Sequence, residues 1–491
     1  MDFNVRTILA ILSLCTGMSC PVVCAEEVSE QVDDKPVTSE LTLEKCVHIA
    51  LKNHQSLKVS DENVLMAEAL YQQAMSAYWP RISADVNASR ADQDRTFSFQ
   101  GEIDGQALTS ALAKSSPALG QLMQSGLAQP ISSIPLDVKT KLYNRDLVMA
   151  AVNLTYPLFT GGKINAIVGQ AEKGVKIAQE LRRKTRLEVV NDVKKYYFGA
   201  QFAAQMQKLT SDTLERFQVL QELTERLYQH GSMKVKKTDY LRTKTTTAMT
   251  RSMLHEAKYA TDLAHEALGN AMGIEWQEGL SLVETDQTPS LDTNLEALIN
   301  SAQQFNPDIQ QLSLAIQASD HMIAEAKSGY YPMIGFQAEA HSIQNSYNQG
   351  LFNGDNREGW TVGIGLQWNF FDGFQTTGKV KQAEAQQRKF ESQKILLDKG
   401  MALMIKQQFL RIKSAYAQIK DTENASQFAS ENRQLNVSAY QEELVETKDV
   451  IEAQIVETFT QGAYFRSRYA LDTALANLEF LVGNKIESVT E

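Results

Sequence analysis

Tyr78-Trp79-Pro80-Arg81-Ile82-Ser83-Ala84-Asp85-Val86-Asn87-Ala88-Ser89 decides the fold, because it returns later in the chain as Tyr330-Tyr331-Pro332-Met333-Ile334-Gly335-Phe336-Gln337-Ala338-Glu339-Ala340-His341. In both copies a Pro halts a helix, since the residue before Pro is pushed toward extended geometry. Beyond Pro80 and Pro332 the pattern alternates. Ile82, Ala84, Val86 and Ala88 interleave with Ser83, Asp85, Asn87 and Ser89, while Ile334, Phe336, Ala338 and Ala340 interleave with Gly335, Gln337, Glu339 and His341. Period two reads as a strand with one apolar and one polar face. Upstream, the two copies align without a gap back to Leu43-Glu44 and Leu295-Glu296. Downstream, Leu158-Phe159-Thr160-Gly161 up to Gln170-Ala171-Glu172 matches Phe370-Phe371-Asp372-Gly373 up to Gln382-Ala383-Glu384. The chain is therefore an internal duplication, with a first repeat over 41–290 and a second over 291–491.

Each repeat supplies a second alternating run. Trp360, Val362, Ile364, Leu366, Trp368 and Phe370 alternate with Thr361, Gly363, Gly365, Gln367 and Asn369; Val148, Ala150, Val152, Leu154 and Tyr156 are the first-half counterpart. The expected strands are about 81–93, 146–158, 333–343 and 359–371. Tyr78-Trp79, Tyr330-Tyr331, Trp360 and Trp368-Phe370-Phe371 stand at their ends, where membrane interfaces collect aromatics. That favours a membrane sheet over a soluble one. Four strands cannot close a barrel, and an open edge in hydrocarbon leaves backbone groups unpaired. Three chains sharing one barrel would give twelve strands, an even number within the usual range. The polar face, Asp85, Asn87, Gln337, Glu339, Gln367 and Asn369, is then expected to line the lumen. The longer connections, about Thr96 to Arg145 and Ser342 to Glu358, lie opposite the helices and so face the exterior.

The rest of the composition fits an exported membrane protein. The chain has 491 residues, 43% hydrophobic, with a formal net charge of -11. It is too apolar for disorder and carries no clustered basic face for nucleic acid. Arg6, the apolar run Ile8 to Leu14 and the small-residue site Val23-Cys24-Ala25 read as a signal peptide over 1–25, followed by an acidic periplasmic segment over 26–40. Cleavage would remove Cys15, Cys20 and Cys24 and leave Cys46 alone, so no internal disulfide framework is expected. Beyond the signal, no stretch holds about 18 consecutive apolar residues, so any membrane passage must be made by strands.

Between the strands lie long Pro-free stretches. Met206, Leu209, Leu220, Leu223 and Leu227 fall on one heptad seam, as do Ile405, Phe409, Ile412, Tyr416 and Ile419. About 65 helical residues make a rod of roughly 100 Å. Each rod turns, near 229–238 and 441–448, and a helix returns. Asp239 and Asp449 are expected as N-caps of the returning helices. The turns carry opposite charges, Lys234, Lys236 and Lys237 on one and Glu442, Glu443 and Glu446 on the other. No phosphate loop, nucleophile elbow or metal-ligand spacing occurs, and the seven His residues are scattered, so neither an enzyme nor a cofactor is expected.

This combination resembles the TolC family of outer-membrane efflux proteins over nearly the whole mature chain. The matching marks are the Trp79-Pro80 and Tyr331-Pro332 junctions, Pro157-Leu158-Phe159-Thr160-Gly161-Gly162, Phe370-Phe371-Asp372-Gly373 and the tip Leu444-Val445…Asp449-Val450. Two departures stand out: Glu443 holds a position where family tips carry Gly, and the first tip, from Gly231 and Ser232 to Asp239, is longer and more basic. The resemblance implies a homotrimeric α+β membrane protein: a 12-stranded β-barrel in the outer membrane, continued by an antiparallel coiled-coil α-helical barrel in the periplasm. It implies passive conduction from an inner-membrane pump and a periplasmic adaptor, in efflux or type I secretion, with docking and gating at the tips. The alternative is a non-conducting structural or adhesive trimer anchored in the same membrane. The junction residues Pro80, Gly161, Gly162, Pro332 and Gly373 are those that turn strand into helix.

Overall fold

A computed structural model describes residues 40–116, 118, 121, 125, 133–275, 281–283, 294–345 and 357–484, apart from the side chain of Ile134. The expected signal peptide and nearly all of the acidic segment lie outside the described residues. In chain order the elements are α1 (Leu43–Asn53), α2 (Gln55–Met75), β1 (Arg81–Arg90), β2 (Arg95–Asp104), α3 (Gly105–Ser115), β3 (Ser133–Tyr143), β4 (Asp146–Phe159), α4 (Lys163–Gln229) and α5 (Lys237–Met272). The second half adds α6 (Leu295–Phe305), α7 (Pro307–Ser328), β5 (Met333–Asn345), β6 (Glu358–Gln367), α8 (Gln375–Gln441) and α9 (Thr447–Val482).

The duplication is visible in the helix lengths. The long helices α4 and α8 are both 67 residues, and the returning helices α5 and α9 are both 36. At 1.5 Å per residue each long rod runs roughly 100 Å. The cores repeat as well. Cys46, Ala50, Val189, Val193, Ala200, Leu268 and Met272 are buried together in the first half, and Leu298, Ala302, Met401, Ile405, Ile412, Leu478 and Val482 take the equivalent places in the second. Each cluster sits where a short helix lies across a coiled-coil pair. A third cluster, Phe217, Leu220, Tyr440, Val450 and Ile451, closes the far end of the rods.

His54 and Asn306 break the short helices from their continuations. Their side chains cap α2 and α7: His54 Nδ1 accepts from Ser56 N at 3.2 Å, and Asn306 Oδ1 accepts from Asp308 N at 2.9 Å.

Four strands form one antiparallel sheet in the order β1-β4-β5-β6. A second, two-stranded sheet of β2 and β3 was not anticipated: the stretch 96–145 reads as a connection, whereas the structure makes part of it a paired ribbon. Its alternation, Phe97, Phe99, Ile103 against Ser98, Gln100, Glu102, was the available signal. Two strands also end well short of expectation. β1 stops at Arg90 rather than 93, and β6 stops at Gln367 rather than 371. At the second of these, Trp368 Nε1 donates to the Tyr330 carbonyl at 3.2 Å and its ring tilts onto Phe370 at 4.6 Å. The chain then turns through Gly373 and Phe374, at φ 66° each, into α8. Asn369 thus lies beyond the strand.

Candidate functional site

Three places combine exposed surface with an unusual arrangement of groups: the sheet faces, the strand–helix junctions and the turns at the end of the rods.

Apart from a bulge between Pro157 and Phe159, the strand registers assign the sheet residues to two faces. Asp85 opposes Ala151, Ala151 opposes His341, and His341 opposes Gly359, so these share one side. By the same registers Asn87, Asn153, Gln337, Glu339, Thr361 and Gln367 lie on that side too. Asn153 Nδ2 donates to Asp85 Oδ2 at 2.8 Å, joining β4 to β1 across this polar face. The other side is apolar in all four strands: Ile82, Val86, Val152, Leu154, Phe336, Ala338, Val362, Ile364 and Leu366. Val86 is 72% exposed and Ile364 70%. A soluble sheet hides such a face; here nothing among the described residues covers it. Along the outer sides of β1 and β6 no pairing strand is present among the described residues.

The junctions join the sheet to the rods. Pro80 and Pro332 stand immediately before β1 and β5. Gly161 sits at φ 62°, and a Cβ there would approach Tyr331 Cβ to 2.7 Å and the Ser328 carbonyl to 2.9 Å, so only Gly fits. Gly162 follows at φ 84° as N-cap of α4, and Gly373 repeats the geometry ahead of α8. In both halves a Tyr hydroxyl reaches the start of the next rod, Tyr78 to Asn165 Oδ1 at 2.6 Å and Tyr330 to Thr377 Oγ1 at 3.2 Å.

At the far end the two turns lie side by side. Each rod ends in a Schellman turn: Ser232 N donates to the Leu227 carbonyl at 3.0 Å, and Leu444 N donates to that of Ala439 at 2.8 Å. The left-handed position is Gly231 in the first turn, at φ 73°, and Glu443 in the second, at φ 59°. A non-Gly residue there costs roughly 1–2 kcal/mol. Glu443 has partners that hold it: its Oε2 accepts from Ser232 Oγ at 3.2 Å, and its carbonyl accepts from Lys234 Nζ at 2.5 Å.

The structure thus brings Ser232, Lys234 and Glu443 together, though Lys234 meets the backbone of Glu443 and not its carboxylate. Lys236, Lys237 and Glu442 enter no ion pair among the described residues, and Glu446 pairs with Lys448 of its own turn at 3.2 Å. Val445 packs on the third core cluster, while Leu444 is 74% exposed. Asp239 and Asp449 are not N-caps. Each is the third residue of its helix, and its carboxylate accepts from the backbone N–H of the capping residue, Lys236 at 2.9 Å and Glu446 at 3.0 Å. The second helix thus begins three residues earlier than an N-cap at Asp449 would require.

One cluster escaped the sequence reading. Glu457 of α9 is 1% exposed, and its Oε2 accepts from Arg216 of α4 at 2.6 Å and from Arg433 of α8 at 2.9 Å. It joins one coiled-coil pair to the other. Nearby, Thr213 meets Thr458 at 3.0 Å, and Tyr440 bridges Thr224 and Thr447 at 3.1 and 2.9 Å. The only trace in the sequence is an isolated acid among Ile455, Val456 and Phe459.

Among the described residues no helix is long and apolar enough to cross a membrane, and no three His, Cys, Asp or Glu side chains are grouped to hold a metal. A family model described as outer membrane efflux protein matches residues 46–274 and 298–484. The probable efflux pump outer membrane protein TtgC of Pseudomonas putida is 23% identical over 338 residues, 68% of this chain and 60% of the relative. The antibiotic efflux pump outer membrane protein ArpC, also of Pseudomonas putida, matches to the same extent, so the chain spans about 60% of the length of these curated relatives. Among solved structures, the outer membrane protein VceC of Vibrio cholerae superposes with a TM-score of 0.70 at 17% identity, covering 90% of this chain and 96% of that one. The CmeC outer membrane channel of Campylobacter jejuni gives 0.71 at 14% identity, covering 90% and 85%. At such identities the structures speak for the fold alone, a sheet continued by long paired helices.

Proposed function

This chain belongs to the outer membrane efflux protein family, and on that premise we propose that it is the exit conduit of an export machine. Three copies share a 12-stranded barrel in the outer membrane, and their paired rods form a helical tunnel that runs into the periplasm. The observation that carries this reading is the sheet with one exposed face that is apolar over most of its length, one polar face and, among the described residues, two outer strands unpaired. Such a sheet meets its needs only when lipid covers the first face, water fills the space behind the second, and copies of itself pair the edges. Asp85, Asn87, Gln337, Glu339 and Gln367 then line the lumen, with Asn369 at its inner rim.

Conduction is passive, and the driving energy comes from an inner-membrane pump reached through a periplasmic adaptor. The turns are the docking and gating end, since they lie a full rod length from the sheet. Gly231, Ser232, Lys234, Lys236, Lys237, Asp239, Glu442, Glu443, Leu444, Val445, Glu446 and Asp449 form that surface. Exposed ion pairs are individually worth about 0–1 kcal/mol, so the threefold repetition of the ring is what would give tip charges leverage. Reversing Glu443 and Glu446 to Lys is expected to raise basal single-channel conductance in planar bilayers, or to weaken adaptor cross-linking through Ser232 and Leu444. If conductance and cross-linking both stay at the parental level, the tip assignment fails.

A further inference from the structure

The connection between β1 and β4 runs from residue 91 to 145, whereas that between β5 and β6 runs only from 346 to 357. The extra length carries the β2–β3 ribbon, which is fastened directly to the end of the β1–β4 pair. Ala91 N donates to the Arg145 carbonyl at 2.8 Å, Arg145 N donates to Asp94 Oδ1 at 2.8 Å, and Lys141 pairs with Asp94 at 2.6 Å.

The ribbon is two-faced. Its register sets Phe97, Phe99, Gly101 and Ile103 against Thr140, Val138, Leu136 and residue 134, all on one side. On the other side Thr96, Ser98, Gln100 and Glu102 oppose Lys141, Lys139, Asp137 and Pro135. The Phe99 ring folds over Gly101, where a Cβ would come within 2.9 Å of it. Even so, Phe97 and Phe99 are each 51% exposed, and Ile103, Leu136 and Val138 are exposed beside them. A two-stranded ribbon is marginal by itself in water, and a contiguous apolar patch marks a surface that meets something.

We propose that this apolar face docks on the ribbons of two further copies of the chain, so that three ribbons close together over the outer mouth of the channel. This rests on the shared-barrel reading. If three sheets close one barrel, the three ribbons rise from one rim at threefold spacing. Twelve strands about 4.8 Å apart and tilted near 40° enclose a circumference of roughly 75 Å, hence a radius of about 12 Å. Ten ribbon residues at about 3.3 Å each extend roughly 30 Å, enough to reach the axis. The opposite face, with Glu102, Asp137, Lys139 and Lys141, suits water. A membrane surface is the poorer occupant: β2 and the apolar side of β3 carry no Trp or Tyr, the side chains that gather at the other end of the sheet as Trp79, Tyr330, Tyr331 and Trp368. The ribbon would therefore be a second constriction, at the opposite end from the turns.

The test uses the full chain with its own four cysteines replaced by alanine and Phe99→Cys introduced, oxidised with copper–phenanthroline in outer-membrane vesicles. Three thiols around one axis form one disulfide, so about two-thirds of the chains should run as a two-chain band without reductant. Ser98→Cys, on the opposite face, should remain a single chain. Val138→Cys, the register partner of Phe99, reads the same contact should Phe99→Cys disturb folding. Cross-linking of Phe99→Cys and Val138→Cys no greater than that of Ser98→Cys, in an assembly whose native mass is still three chains, would overturn the ribbon contact alone. A native mass of one chain would overturn the shared barrel with it. A fluorophore on residue 99 quenched by lipid-borne quencher, without cross-linking, would lay the ribbon on the membrane and also sink the proposal.

Discussion

Ile364→Lys is expected to abolish stable insertion of the barrel, while Gly363→Lys, one residue away, leaves the assembly intact. Both lie near the middle of β6, and the registers put them on opposite faces: Ile364 with Phe336 and Val362 on the apolar side, Gly363 with Gln337 and Thr361 on the polar side. A Lys at the bilayer midplane of a barrel's lipid face costs about 2–4 kcal/mol. Three copies per assembly would raise that to roughly 6–12 kcal/mol, comparable with the whole stability of a typical domain. A lumen Lys meets water and costs little, and a Cβ at Gly363 meets no atom within 4 Å. Heat-modifiable mobility and protection of the barrel from protease in reconstituted vesicles read the difference. Equal damage from both substitutions would mean that the two faces are not lipid and lumen.

The second large effect is expected at Glu457. Its side chain is buried and holds Arg216 and Arg433 from two different rods. Removing one partner of a buried charge cluster leaves the others without compensation, at about 3–5 kcal/mol. Glu457→Ala should lower the thermal midpoint of the helical part accordingly. Changing all three residues to apolar side chains, Glu457→Leu with Arg216→Met and Arg433→Met, should recover most of the loss, because the desolvation cost disappears along with the attraction. Additive losses in the triple variant would show that Arg216 and Arg433 act independently of Glu457, contrary to the geometry.

The parts of this molecule that can be read from sequence are those with a period. The alternation after Pro80 and Pro332 gives strands and faces, the spacing of Ile405, Phe409 and Ile412 gives a rod, and the repetition of both gives a duplicated chain. Features set by a single residue in three dimensions left little trace. Glu457 is one acid on a seam that also buries Gln454 among small and apolar residues, and its two Arg partners lie 241 and 24 residues away on other helices. Asp239 and Asp449 look like N-caps because a short acid before an apolar run is the common sign of one; only the backbone shows that they reach back from the third helical position. The β2–β3 ribbon is hard to read for a different reason. Its alternation is as clear as that of β1, but it lies inside a segment that has no counterpart in the second half, so the duplication lends it no second copy.

Glu443 shows how the two halves have diverged. Its left-handed backbone repeats that of Gly231, so the turn geometry is inherited while the residue is not. Phe374 bears the same relation to Gly162 at the other end of the rod. In each case a side chain has been gained where the backbone favours none: at Glu443 it accepts from Ser232, and at Phe374 it packs edge-on against Phe371 at 5.5 Å.

The native mass of the purified protein in detergent tests the central claim most directly, because a sheet with two unpaired outer strands and one apolar face has no stable existence as a single chain in a membrane. The account predicts a folded complex of three chains, resistant to dissociation until the barrel itself melts. A folded, monodisperse single chain would contradict it.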